Sequence, residues 1–289
     1  MKIIAPATSA NLGPGFDSLG IALNSYLVVE VLEPLENWLV DHEFGSNVAN
    51  DRNNLVVRTA LSINPELSPR HLKVTSTIPL ARGLGSSSSA IVAGLLLANE
   101  LGQMNLDQTM LLQLATRLEG HPDNVAPAVL GDFVAATYDE DWCDALQLPY
   151  PKLSFIAYIP NVELRTKESR EALPEKFAYR KAVHGASVGN VYVAAVAKQD
   201  IDVIGRMMVK DEFHEGYRRK LVPDLDRIRT VLQHTAHVGT YLSGAGPTVM
   251  TVATQAQTAA VVAALKAEPQ LDGEVRVMSI DRLGGRVIN

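Results

Sequence analysis

A single cysteine, Cys143, leaves this chain without a partner for an internal disulfide and without a thiolate set for zinc. Such sparing use of cysteine fits a reducing compartment. Long apolar runs are missing as well: none approaches the ~18–20 uncharged residues of a membrane-spanning helix. The opening stretch, MKIIAPATSAN, has one lysine and a very short apolar run. It lacks the h-region of a secretory leader, so a cytoplasmic protein is expected. Cations are not in excess. The formal charge over 289 residues is −6, which argues against broad nucleic-acid binding, and RRK at 218–220 is too small a patch to reverse that. No Gly-Lys pair is available for a Walker loop, and GLGSSS lacks the third glycine of the dinucleotide fingerprint. HExxH and clustered cysteine or histidine ligands are also absent. A soluble enzyme acting on small molecules remains.

What is present reads as two α+β layers. YLVVEVLE (26–33), HLKVTSTI (71–78) and GDFVAATY (131–138) read as strands, and 54–63, 88–101 and 106–120 as helices. In the last of these Leu111, Leu114 and Leu118 form one stripe. The polar, proline-bearing stretch DEDWCDALQLPYPK (139–152) reads as a connection, dividing the chain into domains at 1–150 and 151–289. Beyond it come a strand at 153–160, helices at 178–198 and 223–236, and strand–glycine loop–strand at 239–253. A helix at 254–268 and a strand at 275–280 close the chain. Strands and helices alternate irregularly in both halves, which favours α+β over a doubly wound parallel sheet. GASVG at 185–189 has the spacing of a hydrolase elbow but lies within a helical pattern, where small residues serve close packing.

The strongest local signal is PLARGLGSSSS (79–89), which runs directly into the apolar AIVAGLLLA. Glycines 83 and 85 let the backbone turn tightly, and the serines fall where the next helix begins. The first N–H groups of a helix have no internal partner, and the dipole adds positive potential there. Such a turn makes an anion site, with serine hydroxyls as further donors. A plain serine N-cap would need one serine; four in a row behind GLG point to phosphate.

PLARGLGSSSSA resembles the phosphate loop of the GHMP kinases. APATSANLGPGFDSLG at the N-terminus and LSGAGPT (242–248) resemble that family's first and third motifs, in the same order. Together with EGHPDNVAPA (119–128), the first motif is similar to the branch that phosphorylates L-homoserine. The resemblance implies a ribosomal-S5-like N-terminal domain and a ferredoxin-like C-terminal domain with substrates between them. It also implies ATP, Mg²⁺ and a homodimer. Other readings are another small-alcohol kinase of the family, such as one acting on mevalonate, and a non-catalytic ligand-binding relative.

Carried onto this chain, the resemblance assigns nucleotide binding to Pro79, Leu80, Ala81, Arg82, Gly83, Leu84, Gly85, Ser86, Ser87, Ser88 and Ser89. It assigns Mg²⁺ to Ser87, with Ser86 second, and to Glu119. Only Gly120 separates Glu119 from His121, a shorter loop than many relatives have. If the helix is shifted, Gln113 lies nearer the expected spacing. Asn11 and Asp17 match positions that contact the hydroxyl and ammonium ends of the amino acid. Thr166, Arg170 and Arg218 match a carboxylate-binding set, with Arg219 adjacent to the last; a guanidinium fork suits a carboxylate. His121, Asp123 and Asn124 complete the acceptor side. The implied reacting set is Asp17, Asp123, Asn124, Ser87 and Glu119, with a catalytic base or direct attack of the hydroxyl both open.

Overall fold

The computed structural model describes residues 1–288. Its first layer comprises β1 (Lys2–Asn11), β2 (Gly15–Pro34), β3 (Leu39–Asp41), α1 (Leu55–Ile63), β4 (Arg70–Ser76), α2 (Ser86–Leu101), α3 (Gln108–Glu119), α4 (Pro122–Leu130), β5 (Phe133–Tyr138) and β6 (Cys143–Leu148). The second comprises β7 (Ser154–Pro160), α5 (Thr166–Glu171), α6 (Tyr179–Lys198), α7 (Ile201–Met208), α8 (Glu215–Arg218), α9 (Asp224–Val231), β8 (Gly239–Leu242), β9 (Val249–Ala253), α10 (Gln255–Ala267) and β10 (Gly273–Met278). A last strand, β11 (Arg286–Ile288), returns to the first layer.

The first sheet runs β11-β1-β2-β4-β3. Because β2 is 20 residues long, its first half pairs with β5 and its second half with β4, and β6 extends β5. The second sheet has the order β10-β7-β9-β8. With helices between β7 and β8 and between β9 and β10, this is the βαββαβ ferredoxin-like arrangement. The two layers share one apolar core, to which Ile3, Leu23 and Phe133 contribute from one side and Phe155, Tyr192 and Met250 from the other. A smaller cluster around Ile156, Leu225 and Leu242 lies under α9 and α10.

Three expectations need correction. The stretch 139–152 is not only a connection, since it contains β6, paired with β5 from Phe133↔Leu148 to Tyr138↔Cys143. Its alternation is masked because Leu146 faces outward and is 72% exposed. On α3 the buried face runs through Leu111, Leu112 and Ala115, leaving Leu118 exposed. The helix read at 223–236 closes at Val231. GASVG does lie inside α6, and a Cβ on Gly185 would stand 2.5 Å from the Phe213 ring.

His71 fastens the free edge of the first sheet. Its Nδ1 meets Glu33 at 2.9 Å and its Nε2 meets Asp41 at 2.7 Å, which ties β4 to the end of β2 and to β3. Both ring nitrogens donate only in the imidazolium form, so the bonds to Glu33 and then Asp41 raise its pKa. A histidine raised in this way contributes stability that is complete below its unfolded pKa of about 6.5 and is lost as pH climbs through the folded value. His71→Gln should therefore lower the melting temperature more at about pH 6 than at about pH 8.5. Equal losses at the two pH values would show that the bridge does not titrate.

Candidate active site

The site grows from the N-terminus of α2. Gly85 occupies the N-cap with φ +68°, and no side chain caps the turn. A Cβ at Gly85 would stand 2.0 Å from Thr8 Oγ1, so neither the conformation nor the space admits another residue. The serines do not cap their own helix, and its first N–H groups remain available to an anion. The preceding carbonyls are tied elsewhere. Arg82 O accepts from Thr248 N at 3.3 Å, Gly83 O from Ser243 Oγ at 2.6 Å and Leu84 O from Thr8 N at 3.1 Å. Behind them Ser9 Oγ contacts Ser243 Oγ at 2.7 Å and Tyr241 Oη at 2.8 Å, all buried.

This turn opens into a cleft of ≈ 330 Å³ between the two layers. From the glycine–serine turn Ala81, Arg82, Gly83, Gly85, Ser86, Ser87 and Ser88 line it. Pro79 and Leu80 stand outside the lining. Leu84 is in the apolar core, and Ser89 Oγ turns back to Pro6 O and Gly85 O, so these two shape the loop without facing the cleft. Asn11, Asp17, Glu119, His121, Asp123, Asn124, Thr166, Arg170 and Arg218 all converge on the same space.

The two carboxylate-or-amide alternatives separate cleanly. Ser88 Oγ donates to Glu119 Oε1 at 2.9 Å, while Ser87 is exposed at the cleft wall. Gln113 is occupied elsewhere, its amide pairing both the N–H and the C=O of Cys143 at 2.8 and 2.6 Å. Burial pushes the Glu119 carboxyl up, and the His121 charge and the Ser88 hydrogen bond offset this only in part. A carboxylate so placed gains from a neighbouring cation, and an all-oxygen set of Glu119 and serine hydroxyls suits Mg²⁺.

Also in the cleft, Arg170 grips Asp17 with both nitrogens, at 2.8 and 3.0 Å. Arg218 is 2% exposed and bonds only to Ser169 O, Gly244 O and His214 Nδ1, whereas Arg219 is exposed and pairs with Asp226. Burial, with Arg170 nearby, brings the Arg218 pKa down to about 10, so it still carries its charge at neutral pH. His121 Nδ1 meets Asp123 Oδ1 at 2.5 Å. Burial opposes the imidazolium there, but Asp123 outweighs it and the pKa is raised. Asn124 gives its Nδ2 to Asp123 and accepts from Thr8 Oγ1 at 2.9 Å, which fixes its amide.

Sequence reasoning passed over Phe16, Thr8, His214 and Arg165. Phe16 lines the cleft with the Arg170 and Arg218 guanidinium carbons 5.8 and 5.2 Å from its ring centre. Its place in GFD, one residue before Asp17, was the available signal. Arg165 stands just before Thr166, and nothing local distinguishes it from a surface charge.

Gln113→Ala strips two partners from a buried backbone and should cost about 1–3 kcal/mol of stability with turnover unchanged. Glu119→Gln keeps the shape and should leave the melting curve in place while lowering turnover on the order of 10²-fold. Thermal melts and steady-state turnover check both, and loss of turnover in Gln113→Ala would reverse the assignment.

Comparison with known proteins agrees with this geometry. The model for the GHMP kinases N terminal domain matches residues 54–132 and that for the GHMP kinases C terminal matches 192–270. A homoserine kinase of Streptococcus pneumoniae is 49% identical over 287 residues, 99% of each chain. A Listeria monocytogenes structure assigned as a homoserine kinase superposes with a TM-score of 0.90 at 38% identity, covering 100% of this chain and 99% of that one. A homoserine kinase from Cytophaga hutchinsonii gives 0.86 at 28% identity, covering 100% and 97%. A mevalonate kinase from L. major, at 17% identity and a TM-score of 0.77, shares the fold. With both domain models matched in order and relatives aligned from end to end, the chain belongs to the homoserine kinase branch of the GHMP kinase family.

Proposed function

We propose that this protein transfers the γ-phosphoryl group of ATP to the side-chain hydroxyl of L-homoserine, with Mg²⁺, giving O-phospho-L-homoserine for threonine synthesis. One observation carries the reading: a pocket of paired opposite charges opens directly onto a phosphate-binding helix terminus. Asp17 and Arg170 neutralise each other, and Arg218 is a buried cation with no hydrogen-bonded carboxylate. An amino acid's ammonium and carboxylate can take over the two halves of the first pair and supply the anion missing at the second. Mevalonate offers a carboxylate and no ammonium, which leaves Asp17 without a use. The likeness of the nucleotide side, with Glu119 still in the cleft, supports an active kinase over a silent binder.

The chemistry needs placement and charge stabilisation more than covalent help. The acceptor oxygen bonds to Pγ as the bond from Pγ to the bridging oxygen breaks, ADP leaves with the electron pair, and the hydroxyl proton passes either to a base on the cleft wall or to a phosphoryl oxygen. Within that scheme Asn124, its Oδ1 already held by Thr8, presents N–H to the acceptor region. Thr166 and Arg170 face the same region. Mg²⁺, held by Glu119 with Ser87 or Ser88, would neutralise charge on the phosphates. The same reading places the protein in the cytoplasm, as one buried thiol suits, and in homodimers, which light scattering would read.

ADP release with Mg-ATP should occur with L-homoserine and not with mevalonate, galactose or buffer. Asp17→Ala should raise the KM for L-homoserine on the order of 10-fold, since it removes the ammonium's charge partner and leaves the half-exposed Arg170 unpaired. Turnover of mevalonate at a rate Asp17→Ala does not change would overturn the pocket assignment.

A further inference from the structure

Four arginines line the cleft, and three are committed. Arg82 is folded back onto Pro160 O, Leu80 O and Asn161 O, with Glu163 at 3.3 Å. Arg170 is on Asp17, and Arg218 is wrapped in carbonyls. Among the described residues Arg165 is the cleft guanidinium with no hydrogen-bond or ion-pair partner. No lysine lines the cleft either, although a triphosphate must be bound there.

Its place on the chain is specific. The segment from β7 to α5 crosses beside both glycine loops. Glu163 pairs with Arg82 of the phosphate loop, and Leu164 is buried, its Cδ2 3.5 Å from where a Cβ on Gly246 would lie. Arg165 follows in an extended conformation, φ −76° and ψ 139°, and is exposed. Next come Thr166 and, one turn on, Arg170 of the acceptor pocket. Arg165 is thus delivered between the nucleotide side and the acceptor side, where a group passing from one to the other must travel.

We propose that Arg165 engages the γ-phosphoryl group and stabilises the charge that builds on its oxygens during transfer. A loose phosphoryl transition state spreads negative charge over three equatorial oxygens, and a guanidinium fork meets two of them at once. Helix N–H groups supply fixed donors for the phosphates that stay with the nucleotide. An exposed, unpaired arginine is free to follow the phosphorus that moves. The inference rests on phosphoryl transfer in this cleft and is independent of the acceptor's identity.

The test compares the full-length wild type with Arg165→Ala and Arg165→Lys. Steady-state ADP release with L-homoserine is joined to calorimetric binding of Mg-ADP and of a Mg-bound ATP analogue with an imido β–γ bridge. Arg165→Ala should lower kcat on the order of 10²-fold with the KM for L-homoserine unmoved. It should weaken the analogue about tenfold and leave ADP binding as it was. Arg165→Lys should recover part of kcat. Unchanged kcat overturns the proposal, as does equal weakening of ADP and analogue. A rise in the KM for L-homoserine alone overturns it too, by placing Arg165 on the acceptor's carboxylate. If the wild type turns over no acceptor, the proposed reaction fails, while the ADP-against-analogue difference still decides the role of Arg165.

Discussion

Three consecutive carbonyls, those of Arg82, Gly83 and Leu84, are each held by a donor distant in the chain, and the rest of the cleft depends on that restraint. A carbonyl oxygen turned toward the cleft would repel a phosphate. Each bond is worth only about 0.5–1.5 kcal/mol net, but together they remove the loop's freedom to turn over. The donors come from β1 and from the glycine loop between β8 and β9, so both layers of the fold converge on one turn. The helix behind it cannot swing away. Ile91, Val92, Leu95, Leu96 and Leu97 of α2 are all buried, each contributing about 1.5–3 kcal/mol of burial. Placing serines against an apolar helix thus has a physical purpose: the core anchors the helix so that its polar terminus stays aimed.

The acceptor wall works by opposite means, through charges that are only partly satisfied. Arg170 and Arg218 both approach Phe16, whose ring stacks on His214 at 5.4 Å, and the aromatic face lets two cations share a small volume. Desolvation and then Arg170 lower the Arg218 pKa, so burial holds that charge at a cost. Under the proposed reaction an entering carboxylate would relieve it. Binding energy and selectivity would then come from the same source, because a ligand lacking either charge would leave one partner unpaired.

The sequence was most informative where a feature is local. GLGSSSS names its own conformation, since two glycines and a following apolar helix suffice to predict an exposed helix terminus. Strand–helix order made the second half legible as α+β, while its ferredoxin-like arrangement came only with the family resemblance. β6 was not legible, because its solvent-facing Leu146 breaks the polar–apolar alternation. α4 carries two prolines that obscure its helical pattern, Pro122 and Pro127, yet Pro122 sits in the first turn, where its missing N–H costs nothing. Arg218 and Arg219 could not be told apart in one dimension; the fold puts Arg218 in the cleft and Arg219 at the surface on Asp226. Thr8 and Arg165 could not have been found, since their significance lies in what they touch, or do not touch, across the fold.

Between Glu119 and His121 a single residue makes the turn from one helix to the next. Gly120 ends α3 with φ +88°, a left-handed conformation that reverses the chain without further residues. His121 then begins α4 in an extended conformation, with Asp123 in its first turn. The result sets Glu119, His121 and Asp123 along one wall of the cleft. A Cβ on Gly120 would meet nothing within 4 Å, so the requirement for glycine is conformational alone. The chain therefore keeps the carboxylate beside the serine turn by bending sharply, where a longer loop would reach the same place by wandering. Loop length by itself says little about whether the site survives; the backbone angle at the junction decides it.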